Sequence, residues 1–210
     1  MTATNPDQRL HFPATARNRE PIADVLQQWL PNWGTILEIA SGSGEHAVEF
    51  QQRFPYLRWQ ASDPDPQHRD SINAWIRHTG QTNTMARALD IEVTQQPWPL
   101  PTDVQACLSA IVCINLLHIS SKNCTTALLQ QAAECLPKKA PLMIYGPFKR
   151  YGAHTSLSNA SFDASLRERN IDWGVRDIEW IESLITTLPL QLMECKTMPA
   201  NNQTLILTHE

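Results

Sequence analysis

At 210 residues, with 42% hydrophobic and 18% charged residues, the chain has a globular composition and is long enough to bury a hydrophobic core. Its net charge of -4 gives no general attraction to nucleic-acid phosphates or anionic membranes, so we expect neither as a partner. The five cysteines form no C-x-x-C pair and the seven histidines lack ligand spacing, which predicts a reduced cytoplasmic protein without a metal site. No apolar run reaches membrane-spanning length, and the N-terminus does not resemble a signal peptide.

The first part of the chain predicts an arm followed by one domain. Residues 1–16 are mostly polar and contain Pro6 and Pro13, which favours an N-terminal arm, and residues 17–210 then form a single domain. A first helix is predicted to open near Pro21, because proline suits the first turn of a helix.

Strands and helices alternate through most of the domain. Apolar runs predict strands at 35–40, 56–63, 84–89, 106–117 and 141–145, and helices at 44–54, 67–78, 125–136, 161–169 and 175–188, with 146–159 as a polar insertion. The runs 190–197 and 204–208 predict a terminal hairpin. This alternation predicts a doubly wound α/β fold with a mostly parallel sheet.

Glycine or polar residues close each of the first five predicted strands. Carboxyl ends of parallel strands meet at one edge, where open α/β sheets bind their ligands. The sequence therefore predicts a pocket lined by Gly42, Gly44, Asp63, Asp90, Asn115, His118 and Gly146.

Two classes of ligand suit this pocket. Residues 42–47 fit G-x-G-x-x-A, and Asp63 follows at about the 20-residue distance of a ribose-binding acid, so a dinucleotide is one candidate. S-adenosylmethionine is the other. Glu38 inside the first strand suits a cationic ligand, Asp90 and Ile91 could take an adenine, and we expect no second substrate-binding domain of the kind most hydride-transfer enzymes need. These features favour the methyl donor.

The loop also resembles a known motif. Residues 36–44 resemble the first motif of class I S-adenosylmethionine-dependent methyltransferases, with Ala40 where that motif usually has glycine. ASGSGEH at 40–46, YGPF at 145–148 and MPANN at 198–202 resemble a methyltransferase-like domain-of-unknown-function family. The resemblance implies a Rossmann-like fold with a seven-stranded sheet whose last strand is antiparallel, and it implies no particular substrate.

The resemblance also implies roles for the donor. Asp63 would bind the ribose, Glu38 the loop or the amino group, Asp90 the adenine amine, and Ile91 the adenine ring. Arg19 could pair with the donor carboxylate as a fork. The full expected donor set is Arg19, Glu38, Ala40, Gly42, Gly44, Asp63, Asp90, Ile91 and Asn115.

The acceptor is expected at the same edge of the sheet. His118 and Tyr145 are the candidate catalytic groups, should the acceptor need a general base. Candidate acceptor-binding residues are Lys149, Tyr151, His154, Asn201 and Asn202, which suit a small polar molecule; Lys149 and Arg150 favour an anionic one. Besides a methyltransferase, two functions stay open: an NAD(P)-dependent oxidoreductase and a non-catalytic S-adenosylmethionine-binding protein. The oligomeric state also stays open.

Overall fold

A computed structural model describes residues 7–210; residues 1–6, the first part of the predicted arm, lie outside the described residues. The helices are α1 (Pro13–Trp29), α2 (Glu45–Arg53), α3 (Pro66–His78), α4 (Thr102–Cys107), α5 (Lys122–Cys135), α6 (Leu157–Arg169) and α7 (Ile178–Ile185). The strands are β1 (Thr35–Ile39), β2 (Arg58–Ala61), β3 (Leu108–Ile114), β4 (Pro141–Gly146), β5 (Phe148–Arg150), β6 (Ala153–His154), β7 (Arg176–Asp177), β8 (Leu190–Met198) and β9 (Asn202–His209). No helix among residues 7–210 combines the length and apolar character needed to cross a membrane.

Six strands form the central sheet, in the order β2-β1-β3-β4-β9-β8. β2, β1, β3 and β4 are parallel, and all residues of β1, β3 and β4 are buried, as expected for strands covered on both faces. Two hydrophobic clusters flank the sheet. One includes Leu26, Phe50 and Ile72 from α1, α2 and α3, and the other includes Leu128 and Ile181 from α5 and α7. The prediction of an α/β sheet with helices on both faces is therefore confirmed.

The terminal hairpin completes one side of the sheet. β9 lies between β4 and β8 and is antiparallel to both, so the expectation that the last strand is antiparallel is confirmed. The turn between β8 and β9, Pro199–Asn201, lies at the carboxyl end of β4, because Gly146 pairs with Gln203 just after that turn.

The predicted strand at 84–89, which would have brought the sheet to seven strands, forms only one bridge. Residues 84–89 pair with the sheet only through the isolated bridge between Ser62 and Leu89. Side chains take hydrogen bonds that a strand ladder would otherwise supply: Asn73 accepts from the backbone N–H of Ala88, and Gln60 donates to the carbonyl of Arg87. The seven-stranded sheet is thus replaced by six strands and a bridge.

The predicted polar insertion after β4 contributes β5 and β6 to a second, three-stranded sheet, whose third strand, β7, comes from the first residues of the predicted helix 175–188. The strand order of this sheet is β6-β5-β7. A two-residue turn joins β5 to β6, and both of its residues, Tyr151 and Gly152, have positive φ angles of 50° and 77°. That is the geometry favoured for tight hairpins.

Several element boundaries also differ from the prediction; for example, α6 begins at residue 157 rather than 161, and α7 covers 178–185 rather than 175–188. Residues 106 and 107 end α4 instead of opening β3. α1 begins at Pro13, so residues 13–16 of the predicted arm are helical and Pro21 lies inside the helix. The earlier start is stabilised by tertiary packing, because Thr15 and Asn18 are buried against the domain.

Candidate active site

The loop after β1 contains three residues in the left-handed region. Ala40, Gly42 and Gly44 have φ angles of 56°, 57° and 91°. A Cβ atom on Gly44 would lie 2.7 Å from the Cα atom of Ile72 in α3, so only glycine lets α2 pack this closely. The loop brings the N-terminus of α2 to the carboxyl edge of the sheet, and the Gly44 N-cap makes no side-chain hydrogen bond there. Ala40 adopts the conformation that the usual glycine of this motif would adopt without strain.

Asp63 lies beside this glycine loop, just after β2. Its side chain is almost fully buried, and its Oδ2 accepts from the backbone N–H of Gly42 at 2.9 Å. Its Oδ1 accepts from the N–H of Asp65 at 3.0 Å and lies 3.1 Å from Nδ1 of His68. The structure therefore joins the two features from which the sequence predicted a pocket, the glycine loop and the acid after the second strand.

Glu38 is a buried acid within β1. Its carboxylate accepts from the indole N–H of Trp59 at 2.8 Å, and Glu38 as a whole is only 1% exposed to solvent. Burial raises the pKa of Glu38 to about 7, although the Trp59 and Ser41 hydrogen bonds act in the opposite direction. A cation placed near this side chain would stabilise its charged form.

The segment 7–12, before α1, covers the glycine loop. The ring of Phe12 lies 3.0 Å from the position of a Cβ on Gly42 and packs edge-on against His68. The N–H of Phe12 donates to the Glu45 carboxylate at 2.8 Å, and the N–H of Leu10 donates to the Ser71 hydroxyl at 2.8 Å. The segment is therefore fixed to the first residue of α2 and to the middle of α3, directly over the predicted donor site.

Asn115 and His118 both follow β3. Asn115 follows β3 with a φ of 60°, and its N–H donates to the carbonyl of Tyr145 at 2.9 Å. His118 follows in a single 3₁₀ turn, Leu117–Ile119, and its ring atom Nδ1 lies 3.4 Å from the position of a Cβ on Gly146. Burial, and then the charge of Arg176, lower the pKa of His118 to about 4. The imidazole is therefore neutral at neutral pH.

Tyr145 lies in a buried polar cluster on the α1 side of the sheet. Burial raises the pKa of Tyr145, and interactions of its hydroxyl with the side chains of Asn18 and Asn202 partly offset that rise. Asn18 continues the cluster, since its Oδ1 lies 2.9 Å from Nε2 of His46. Burial lowers the pKa of His46 to about 4. The structure thus brings Tyr145 and Asn202 together, as the topology of the hairpin predicted.

The second predicted acceptor residue of the hairpin, Asn201, is exposed and lies in the turn with a φ of 59°. Its carbonyl accepts from the side-chain amide of Asn159 at 2.9 Å, and its own side chain donates to Ser158. These bonds fix the β8–β9 turn to the start of α6.

Lys149 and His154 meet at one carboxylate. Asp163 of α6 lies 3.0 Å from Nζ of Lys149 and 3.3 Å from Nε2 of His154, and it also pairs with Arg167. Asp163 further accepts from the N–H of Val175 at 2.6 Å. The two predicted acceptor residues are therefore close together, and both already lie against the Asp163 carboxylate.

Four predicted site residues have other surroundings. Asp90 is 67% exposed at its side chain and pairs with Arg69, and Ile91 packs in the core. Arg19 pairs with Glu49 of α2. Tyr151 is 83% exposed at the tip of its hairpin. None of these four makes a described contact with the glycine loop.

Sequence reasoning overlooked several residues of this region. Phe12 lies in the predicted N-terminal arm, and nothing in its local sequence indicates that its ring contacts Gly42. Asn18 and Arg176, in the stretches 17–21 and 173–177, were not among the predicted site residues either. The sequence offered one signal for both residues, namely that each is a polar residue with no evident local purpose. Within residues 7–210, no group of three or more histidine, cysteine or acidic side chains is arranged to hold a metal ion.

Solved structures share this fold at low sequence identity. Mitomycin 7-O-methyltransferase MmcR matches with a TM-score of 0.77 and 12% identity over 94% of this chain and 54% of its own. An O-methyltransferase family protein from Burkholderia thailandensis gives 0.74 and 15% over 94% and 57%. Human N-acetylserotonin methyltransferase, solved with S-adenosylmethionine, gives a TM-score of 0.74 and 11% identity over 93% of this chain and 52% of its own. The chain thus spans about half the length of these proteins, and the expected methyltransferase-type fold is confirmed.

A family model also matches nearly the whole chain. Residues 9–209 match the family described as "Protein of unknown function (DUF938)". The match includes the glycine loop, Asp63, Tyr145 and the β8–β9 turn, so the site described above lies entirely within the family's shared region. The chain belongs to the DUF938 family.

Proposed function

We propose that this protein is an S-adenosylmethionine-dependent methyltransferase that acts on a small polar molecule by direct in-line transfer. The observation that carries the proposal is the buried Asp63 carboxylate hydrogen-bonded to Gly42 of the left-handed glycine loop. The fold shared with O-methyltransferases supports it.

The side chains at this site fit the chemistry of the proposed donor. Asp63 can accept hydrogen bonds from ribose hydroxyls, and the bare backbone at Gly42 lets a ligand approach closely. Glu38, whose pKa is about 7, can carry a negative charge that favours a ligand with an amino group and a sulfonium. Ala40, Gly44 and Asn115 shape the backbone around it. S-adenosylmethionine, when bound, supplies an electrophilic methyl group.

The other residues would bind and orient the acceptor. An activated donor needs mainly a nucleophile held in line at short distance, so positioning dominates the catalysis. His118 is a suitable proton acceptor, because its lowered pKa keeps the imidazole neutral and it lies beside Gly146 at the carboxyl end of β4. Tyr145 and Asn202 offer hydrogen bonds from the opposite side of β4, while Lys149 and His154 approach from the second sheet. Five predicted site residues would contact a ligand only after a rearrangement on binding: Tyr151, Asn201, Arg19, Asp90 and Ile91.

Calorimetric titration with S-adenosylhomocysteine, the demethylated product, tests donor binding. We expect binding to the wild type, and a loss of at least about tenfold in affinity for Asp63→Asn, which removes a charged acceptor at a buried site. Asp65→Asn is the matched control, since the Asp65 side chain caps α3 by accepting from the N–H of Gln67 and the bond from the Asp65 backbone to Asp63 is kept. We expect its affinity to stay within about threefold of the wild type.

Thermal-shift measurements separate the donor from a nicotinamide. We expect S-adenosylhomocysteine to raise the melting temperature and NAD(H) to leave it unchanged, since only a bound ligand stabilises the folded state. Stabilisation by NAD(H) alone would reject the proposal and favour the oxidoreductase.

A further inference from the structure

A basic cavity lies between the second sheet and helices α5, α6 and α7. Its volume is about 390 Å³, within the range of small-molecule sites. Four cationic side chains line it, those of Lys122, Lys149, Arg167 and Arg176, and only one lining residue, Asp177, is acidic. Such a lining favours an anion.

Arg176 is the most unusual of these residues. It is 3% exposed, yet within residues 7–210 no carboxylate lies at salt-bridge distance from it. Its Nη2 donates to the carbonyl oxygens of Ser120 and Asp172, while its Nε is buried without a hydrogen-bond partner. A buried guanidinium with a free donor and no counter-charge is costly unless an anion completes its environment.

The neighbouring charges leave the cavity positive. Asp163, next to the cavity, pairs with Lys149 and Arg167, and Asp177 is engaged at the start of α7, where it accepts from the N–H groups of Gly152 and Trp180. Four cations thus face two carboxylates, both of which already have partners. The excess suits a phosphate or carboxylate group, which a guanidinium binds through two parallel hydrogen bonds.

The cavity also adjoins the proposed transfer site. The N–H of Gly174 donates to the carbonyl of His118, which fixes the lining residues Val175 and Arg176 beside that histidine. The same histidine contacts Gly146 at the carboxyl end of β4. A ligand in the cavity would therefore lie close to His118. Trp180, with Lys122 5.5 Å from its ring centre, adds a flat apolar surface for the rest of such a ligand.

We propose that this cavity binds the anionic group of the methyl acceptor, a carboxylate or phosphate ester, with Arg176 as its main recognition residue. The assignment to the acceptor rests on the proposed methyltransferase function; the anion site itself does not. Arg176 acts here as a binding residue, and the other lining cations Lys122 and Lys149 add electrostatic attraction.

Protein-observed NMR titration with inorganic phosphate and with succinate tests the site, with sodium chloride as the ionic-strength control. We expect saturable shifts at Val175 and at the Trp180 indole. The dissociation constants should rise at least about tenfold in Arg176→Gln and about threefold in Lys122→Gln. Arg58→Gln, at the start of β2 where Arg58 pairs with Asp103, should match the wild type.

Two further measurements, on Lys122→Gln and on product binding, distinguish the possible outcomes. If Arg176→Gln does not fold, the exposed Lys122→Gln variant decides the result. Shifts that do not saturate, or that are equal in Lys122→Gln and wild type, would overturn the site. Product binding measured on the same samples separates the two proposals: donor binding without anion binding rejects only the anion site, and anion binding without donor binding rejects the assignment to an acceptor.

Discussion

Glu38 is the residue with the clearest measurable consequence. Because its pKa is raised from 4.5 to about 7 by burial, the folded state keeps a proton that the unfolded state loses as pH rises between those values. The unfolded state then binds fewer protons, so the free energy of unfolding falls with rising pH in this window. At about 1.4 kcal/mol per pH unit, the loss from this group amounts to about 3 kcal/mol.

We therefore expect Glu38→Gln to remove this part of the pH dependence. The free energy of unfolding of the variant should increase relative to that of wild type from pH 4.5 to 7, because only the wild type loses stability from this group, as measured by urea denaturation. Glu168→Gln, on the exposed face of α6, should follow the wild-type curve throughout. A constant difference between Glu38→Gln and wild type across this range would contradict the assignment.

Ala40 provides a second test. Its positive φ costs about 1–2 kcal/mol for a residue with a Cβ, whereas glycine costs about 0.4–1 kcal/mol through the unfolded chain. We expect Ala40→Gly to leave stability unchanged or to raise it by up to about 1 kcal/mol in urea denaturation. Ala47→Gly, within α2, should instead destabilise by about 1 kcal/mol or more. The account of the loop fails if both variants destabilise equally.

At the scale of single residues, the sequence could predict those placements that depend on residues nearby in the chain. Gly42, Gly44 and Asp63 adopt the predicted arrangement because a tight turn and a following acid are specified within about 25 residues of chain. The surroundings of Asp90 and Ile91 could not be read in this way. They depend on how residues 84–91 leave the sheet, and the side chains of Asn73 and Gln60 decide that from distant positions.

Among the elements, the segment 7–12 has the most direct bearing on ligand binding. The ring of Phe12 lies over Gly42. The backbone of the segment is held in place because the N–H of Phe12 donates to Glu45 and that of Leu10 donates to Ser71. A ligand against Gly42 would therefore contact the ring. We expect this segment to act as a cover that excludes water from the bound donor.

Phe12→Ala should then weaken S-adenosylhomocysteine binding by about 3- to 10-fold, the equivalent of ~0.5–1.5 kcal/mol for an aromatic contact. Most of the change should appear as faster dissociation in stopped-flow measurements. Trp33→Ala removes another exposed aromatic residue, from the chain between α1 and β1, and should have no effect. Tighter binding by Phe12→Ala would mean that the ring competes with the donor.

Elements with strong periodicity were predictable, and elements set by distant partners were not. α2, α3, α5 and the terminal hairpin follow their hydrophobic patterns closely. The second sheet depends instead on β7, a two-residue strand. Its residues Arg176 and Asp177 pair with Phe148 and Lys149 of β5, each 28 positions earlier in the chain. So short a strand leaves no periodic signal.

For the whole molecule, the position of β9 makes the C-terminus essential to the fold. β9 lies between β4 and β8, and Leu205, Ile206 and Leu207 are fully buried. We expect Leu207→Ala to destabilise by about 2–5 kcal/mol in urea denaturation, because it leaves a cavity in the core. Thr208→Ala, at the less buried end of the strand, should cost much less. Equal losses would contradict the central placement of β9.

The same arrangement connects the fold to the proposed function. β1, β2, β3 and β4 end at one edge, and the hairpin returns its turn to that edge, so Glu38, Asp63, His118 and Tyr145 come within one region although the sequence separates them widely. The sequence could predict that edge from strand order and motifs. It could not predict the basic cavity, since Lys122, Lys149, Arg167 and Arg176 come from four different elements.

A crystal structure with bound S-adenosylhomocysteine is the most direct test of the central claim. The account predicts the two ribose hydroxyls within about 3.2 Å of the Asp63 carboxylate, the amino-acid portion against Gly42, and Phe12 over the ligand. Ordered ligand at another place, with Asp63 still bonded only to its present neighbours, would contradict the claim that this edge of the sheet is a methyl-donor site.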